Sequence, residues 1–412
     1  MTAQPVEDAH DAPLASPAVA ASAAGVTRSG AARIEGIDAL RGLVIVLMVL
    51  DHVRDFFHRT AFTADPLTLG EAGDPALFMT RWITHLCAPT FVFLAGVSVW
   101  LQKANGKSRP DLSRFLLTRG LWLIVLELTL VQWGFNFGPG FFLQVIWAIG
   151  ASMLVLAALI WLPRSVVLAL GVLIVAGHQA LAPIDPPDLG AAGPVWQLAM
   201  EFGPTPLLPG FLAYPFVPWL GVMLTGYGLG GLFTLTGKAR TRAVLILAGS
   251  LLIAFGALRV ANGYGEPRPW SAQSDGLWTA LSFINVSKYP PSLDYVLVTL
   301  GAALALLPLL ERLWRPARGV LLTFGRTPLF TYLLHIWLAH ALALATGVLM
   351  GVPASAFFNM LGDPGRLIDA GWGFGVLPVY GFWLLTLVLL YPLSRWFEGV
   401  KRRRRDWWLG YL

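Results

Sequence analysis

Asp51, His52, Arg54 and Asp55 fall within five positions of the stretch RGLVIVLMVLDHVRDFF, residues 41–57. An imidazole takes and gives protons near neutral pH. A carboxylate close by can orient it and balance its cation. Asp55 lies one turn beyond His52; Asp51 points about 100° away around a helix and is the weaker orienting group. Arg41 precedes His52 by eleven residues, close to three helical turns, so the two share a face about 16 Å apart. Asp38 extends the same stripe. Between them runs an unbroken apolar segment, Leu43 to Leu50. Ionisable groups in such a segment are costly in lipid and mark a functional site. The blander alternatives are an Arg41 that snorkels to headgroups and a solvated helix end at 51–55.

The elements that hold these residues follow from composition. Of 412 residues, 56% are hydrophobic and only 13% charged, and the mean hydropathy is +0.66. A soluble domain is about a quarter charged, so most of this chain faces lipid. Long apolar runs predict an all-α fold, a polytopic helical bundle of about ten transmembrane helices. They lie near 38–58, 80–102, 112–134, 141–162, 165–183, 212–235, 241–261, 292–312, 328–349 and 373–397. The last could instead be two pieces, because Gly373 to Pro378 is weakly helical. Helices satisfy their own backbone, as lipid demands.

Ten spans put both termini on one side. Nineteen of the 29 basic residues then fall on that side and five on the other, with five more in or at helix ends. The positive-inside rule makes the crowded side cytoplasmic. Residues 1–32, rich in Ala, Pro and Ser, read as a disordered cytoplasmic tail rather than a signal peptide. Residues 33–399 form the membrane domain. Residues 400–412, with KRRRRDWW, read as a basic and aromatic tail against anionic headgroups. The pI near 9.6 reflects that anchoring, so no nucleic-acid partner is expected. A lone cysteine, Cys87, excludes an intrachain disulfide, and no spacing suggests a metal site.

The first helix, IDALRGLVIVLMVLDHVRDFF, resembles that of a bacterial membrane-protein family related to heparan-α-glucosaminide N-acetyltransferase. Arg41, ten residues and His52 also match the Arg-x10-His signature of integral-membrane acyltransferases. HLCAPTFVFLAG (85–96), FLQVIWAIGASML (142–154), YPFVPWLGVMLTGYGLG (214–230), KYPPSLDYVLVTLG (288–301) and FGRTPLFTYLLHIWLAH (324–340) fit the same family. The resemblance implies transfer of an acetyl group from cytoplasmic acetyl-CoA to an acceptor, a sugar or glycan, on the periplasmic or extracellular side. The setting would be a bacterial inner membrane, with no metal cofactor. Arg41 and Arg326 are the candidate cations for the donor's phosphates. Arg326 would sit at a helix N-terminus, with Thr327 as cap and Pro328 in the first turn.

His52 is the candidate base, taking a proton from an attacking hydroxyl or amine, or is itself acetylated and passes the group on. Asp55, His85 and His335 complete the candidate catalytic set. His335 has Thr331 and Tyr332 one turn below and reads equally as a hydrogen-bonded core residue. His340 is a weaker candidate, and His178 reads as an outer interface residue. Glu127 either pairs with Arg119 or lines the tunnel. One departure stands out: the place of the family enzyme's active-site histidine is Pro75 here, and His85 stands where that enzyme has an acid. His52 as base therefore rests on the Arg-x10-His pattern.

Two outer loops are long, about 184–211 and 262–291. Tyr264, Trp270, Trp278, Phe283 and Tyr289 in or near the second suit sugar rings or an interfacial belt. DGLWTALSFINVSKYPP suggests a short helix over the site. A transporter, favoured by the histidines and the glycines of the sixth span, and a non-catalytic envelope-assembly protein are the competing classes. Against a transporter, no internal two-fold repeat is visible. The acceptor, O- against N-acetylation, direct transfer against an acetyl-histidine intermediate, and assembly as a monomer or homo-oligomer stay open.

Overall fold

A computed structural model describes residues 34–60, 63–205, 210–363, 365–404 and 406–412. The expected tail, 1–32, lies outside them. Sixteen α-helices appear among these residues. They are α1 (Glu35–Phe57), α2 (Pro75–Thr84), α3 (Cys87–Ala104), α4 (Arg109–Leu126), α5 (Gln132–Asn136), α6 (Val145–Leu159), α7 (Arg164–Gly177) and α8 (Gly193–Met200). Then follow α9 (Phe216–Leu229), α10 (Gly237–Ala261), α11 (Gly276–Ile284), α12 (Leu293–Glu311), α13 (Arg315–Arg326), α14 (Pro328–Leu349), α15 (Gly365–Asp369) and α16 (Val376–Arg403). The chain is an all-α polytopic bundle. Among the described residues, eight helical stretches are long and apolar enough to cross a membrane, and α6 is a shorter apolar helix. α1 is of similar length but carries charges at both ends. Each of the ten segments expected from hydropathy contains helix.

α1 is the axis of the bundle. It packs against α3, α12, α13, α14 and α16, and most of it is buried, including Asp38, Asp51, His52 and Arg54. The contact with α13 is the tightest. A Cβ on Gly42 would stand 1.9 Å from the Leu321 carbonyl oxygen, and one on Gly325 1.8 Å from that of Asp38. Only glycine lets two backbones approach so closely.

The second expected span is two helices, broken at His85 and Leu86. Pro89 explains the break. It has no N–H to donate to residue 85, and its ring crowds that carbonyl. The freed His85 carbonyl accepts instead from the Tyr295 hydroxyl at 3.0 Å. α4 and α5 are joined by a π-helical turn, Glu127–Val131. At the opposite extreme, α16 runs as one helix through Gly381 and Pro392, so the two-piece alternative for the last span is not what the chain adopts. It continues to Arg403, and Tyr411 beyond it bonds Thr118 of α4 at 2.7 Å.

At the Asp51 end, three short strands form a small sheet. β1 (Phe141–Leu143) pairs parallel with β3 (Gly210–Leu212), and β2 (Gly203–Pro204) pairs antiparallel with β3. The sheet ties the loop after α5 to the loop after α8. α11 forms the expected short helix of the loop at 262–291.

Candidate functional site

His52 faces α14 and α5. Its Nδ1 lies 2.6 Å from Nε2 of His335, and the rings stack at 4.9 Å with 17° between planes. His335 Nδ1 in turn lies 3.2 Å from the carbonyl oxygen of Thr331, one turn back on α14. A carbonyl only accepts, so His335 Nδ1 carries the hydrogen and its Nε2 is a bare acceptor. His52 Nδ1 must therefore donate, which leaves His52 Nε2 with an unprotonated lone pair. Phe135 closes the edge of the ring at 5.0 Å. Thr331 is itself held by hydroxyl contacts to Ser394 at 2.9 Å and Thr327 at 3.3 Å. The tautomer of His52 is thus set by a chain of hydrogen bonds through α14.

Asp55 does not orient His52 as its spacing suggested. Its carboxylate turns to the guanidinium of Arg54, and His335 takes the orienting place. Asp51 is the centre of a charge cluster instead. Arg81 Nη1 bonds both its oxygens at 2.8 Å, Arg54 lies at 2.9 Å, and Lys288 at 3.5 Å. The Thr84 hydroxyl donates to it at 2.8 Å. Three cations therefore face two carboxylates, Asp51 and Asp55. Buried charges persist only when paired in this way.

Beside this cluster opens a cavity of about 1330 Å³, lined by Asp51, His52, Arg54, Asp55, Arg81 and His85 among others. Several polar atoms around it are buried and lack a partner: both ring nitrogens of His85, Oε1 of Gln132 and Nε2 of Gln144. Orphaned polar groups against an open space are what a polar ligand satisfies. His58, just beyond α1, also lines it and accepts from the Thr60 N–H at 3.3 Å.

Arg41 and Arg326 meet at the other end of α1. Asp38 stands between them, 3.0 Å from Arg41 Nη1 and 4.0 Å from Arg326 Nε. Arg41 also donates to Ser98 Oγ of α3 at 3.3 Å and to the Gly325 carbonyl at 3.4 Å. It therefore lies between helices rather than reaching for headgroups. Arg326 pairs with Glu398 of α16 at 2.8 Å. Thr327 occupies the N-cap position of α14, but its hydroxyl bonds back to the Thr323 carbonyl at 2.9 Å and caps nothing.

Other expectations shift. Glu127 accepts from the Trp147 N–H at 3.0 Å and so caps the start of α6. Arg119 donates to the Gly410 carbonyl at 2.7 Å, not to Glu127. His340 is a packing residue, its ring nitrogens each 2.8 Å from a carbonyl oxygen, of Gly134 and of Phe357. His178 lines a second cavity. Tyr289 lines both cavities and Tyr264 the second, whereas Trp270 and Phe283 pack on each other.

Sequence reading missed Arg81, Lys288, Tyr214 and Phe202 as parts of one place. Charge distribution puts Arg81 and Lys288 on one side, but their common partner is 30 and 237 residues away. The signal for Lys288 was its position in the KYPPSLDY segment.

Comparison with curated proteins gave no match. A sequence model of the family described as "Heparan-alpha-glucosaminide N-acetyltransferase, catalytic" matches residues 33–260, from the start of α1 to the end of α10. That is more than half of the 412 residues, and it contains Arg41, Asp51, His52, Arg81 and His85. The chain belongs to the heparan-α-glucosaminide N-acetyltransferase catalytic family, and is a multi-pass membrane acetyltransferase of that family.

Proposed function

We propose that the protein moves an acetyl group from acetyl-CoA at the Arg41 end of α1 to a hydroxyl or amine of a glycan acceptor in the cavity at the Asp51 end. The positive-inside distribution supports a cytoplasmic Arg41 end and a periplasmic or extracellular cavity; the membrane in this reading is a bacterial inner membrane. CoA is large and anionic and does not cross lipid. Its phosphates would exchange for the carboxylates that now hold Arg41 and Arg326. Its thin pantetheine arm would carry the thioester along α1 toward His52.

At the cavity, Nε2 of His52 accepts the proton of the acceptor's O–H or N–H as the heteroatom attacks the thioester carbonyl. Negative charge develops on the carbonyl oxygen, and the cation surplus around Asp51 stabilises it. The C–S bond then breaks, and the departing thiolate takes the proton from His52. Acetylated acceptor and free CoA thiol leave. The aromatic wall of Phe202, Phe211 and Tyr289 suits a sugar ring. The membrane domain in this reading comprises residues 33–399.

The observation that carries this reading is the His52 ring lining a polar cavity with its Nδ1 held by His335. Radiolabelled acetyl-CoA supplied to purified protein in nanodiscs tests it. Label should move to a glycan acceptor or to water in the wild type and not in His52→Ala. Label retained on the protein after acid quenching, absent in His52→Ala, would assign the acetyl-histidine route. Equal turnover in both proteins would overturn the assignment. A transport function predicts instead no CoA binding, and a scaffold predicts that both Arg41→Ala and His52→Ala are tolerated in the cell.

A further inference from the structure

At the Arg41 end of the bundle, a separate set of charges gathers on α3, α4 and α7. Lys103 stands in the last turn of α3, Arg109 opens α4 and Arg164 opens α7. They meet around two aromatic rings. Lys103 Nζ donates to the Tyr227 hydroxyl of α9 at 3.3 Å and lies 5.3 Å from the centre of the Trp100 ring. The Arg164 guanidinium sits over the same ring at 4.8 Å. Gly231 leaves it room, since a Cβ there would stand 2.2 Å from Arg164 Nη1. Trp100 and Tyr227 meet edge to face at 5.6 Å. The charges of Arg109 and Arg164 both reach Lys103 and Tyr227.

Among the described residues, no carboxylate pairs with any of these three cations. Elsewhere at this end, Arg41, Arg240, Arg318 and Arg326 are answered by Asp38, Glu311, Glu35 and Glu398. Asp111, in the first turn of α4, accepts from the Ser108 hydroxyl at 2.5 Å and acts on Lys107. Arg109 donates to the Trp161 carbonyl at 3.4 Å. A cation at the first position of a helix is disfavoured, because the dipole is already positive there. Two such positions hold arginine here. α7 has no capping side chain, so its first N–H groups add to the surplus of donors. Trp100 Nε1, a further donor, is buried without a partner. Converging donors and positive charge with no carboxylate among them specify an anion.

The surroundings say which anion. Trp161 and Leu162, on the turn into α7, and Val166, in its first turn, are all exposed. Leu173 continues the exposed face seven residues on. A tryptophan beside exposed aliphatic side chains at the end of a span marks the level of the lipid headgroups. Basic pockets between membrane helices at that level hold headgroup phosphates.

We propose that Lys103, Arg109 and Arg164 form a phosphate site that holds the headgroup phosphodiester of an anionic phospholipid, whose acyl chains run down α7 over Val166 and Leu173. The lipid ties the end of α3 to the starts of α4 and α7 by relieving the repulsion among the three cations. This binding stands apart from the acetyl-transfer reading and from the Arg41 and Arg326 pairs.

Native mass spectrometry of the full chain in detergent tests the site. The probes are phosphatidylglycerol, phosphatidylcholine with the same chains, inorganic phosphate and coenzyme A. Phosphatidylglycerol should bind at least ~10-fold tighter than phosphatidylcholine. K103Q/R109Q/R164Q should abolish that preference. R109Q changes one exposed side chain and should weaken phosphatidylglycerol roughly fivefold, the worth of one cation near a lipid surface. K238Q/R312Q/R315Q removes three exposed cations from the same end and should leave the preference intact. Equal affinity for the two lipids would overturn the proposal. So would equal losses in the two triple variants, which would mean diffuse attraction to the whole basic face. If the first triple variant does not fold, unchanged affinity in R109Q overturns it. Binding of coenzyme A or inorganic phosphate that is lost in K103Q/R109Q/R164Q, with no preference for phosphatidylglycerol, would assign the site to a soluble phosphate and overturn the lipid.

Discussion

The two ends of α1 carry similar charged residues and use them differently. At one end, Asp38, Arg41, Arg326 and Glu398 alternate in sign, and each cation has a carboxylate within 4.0 Å. The surrounding backbones close on one another at Gly42 and Gly325. At the other end, Arg54, Arg81 and Lys288 crowd one carboxylate, Asp51. Orphaned polar atoms of His85, Gln132 and Gln144 stand beside an open cavity. Matched charge allows tight helix packing. Surplus charge with unspent hydrogen-bonding capacity leaves room for a ligand.

The contrast can be broken most sharply at His52. His52→Ala should lower kcat for acetyl transfer by up to ~10⁴-fold, the full range of general-base catalysis, with the protein still folded by thermal melting. The next largest effect is on stability. Asp51→Asn strands two buried cations, Arg81 and Lys288, while Arg54 keeps Asp55, and should cost about 3–5 kcal/mol of folding free energy, read as a fall in melting temperature in detergent. Removing a cation as well, in Asp51→Asn with Lys288→Met, should recover part of that loss. An unchanged melting temperature in the single variant would mean the cluster is hydrated rather than paired.

His335 sharpens the comparison further. His335→Leu should lower kcat about 100-fold, the lower end of what a positioned base contributes, because His52 loses the acceptor that fixes its tautomer. His335→Gln keeps an acceptor oxygen and should recover most of that activity with KM unmoved. Equal losses in both variants would make His335 a packing residue. The smallest effect belongs to the closed end. Arg41→Ala should raise KM for acetyl-CoA about tenfold, the worth of one charge-assisted contact, and leave kcat nearly unchanged. A fall in kcat with KM constant would place Arg41 among the structural pairs only.

Much of the fold was legible because lipid leaves few choices. Ten long apolar runs each contain helix, since a helix alone satisfies its backbone within one segment in hydrocarbon. What escaped was what hydropathy does not weigh. α13 alternates basic and apolar residues and reads as a loop between spans. The break at His85 was written in Pro89, yet the apolar run continues across it. At the site, His52 and the cavity-lining His85 stood out as ionisable groups in apolar stretches. The meeting of His52 with His335 spans 283 residues and leaves no local pattern. Asp55 misled for the opposite reason: helical spacing put it near His52, but the adjacent Arg54 offered the stronger contact.

The near pairing of charges along α1 bears on how the chain is built. Asp38 with Arg41, and Asp51 with Arg54, are each one turn apart. Arg81, Lys288 and Arg326 emerge from the ribosome later, the last by nearly 300 residues. A lone Asp or Arg at mid-bilayer costs about 2.5–3.5 kcal/mol on insertion. By bringing counter-ions within its own turns, the nascent helix can enter the membrane before any partner exists, and then extend those local contacts into the wider network as each later segment arrives.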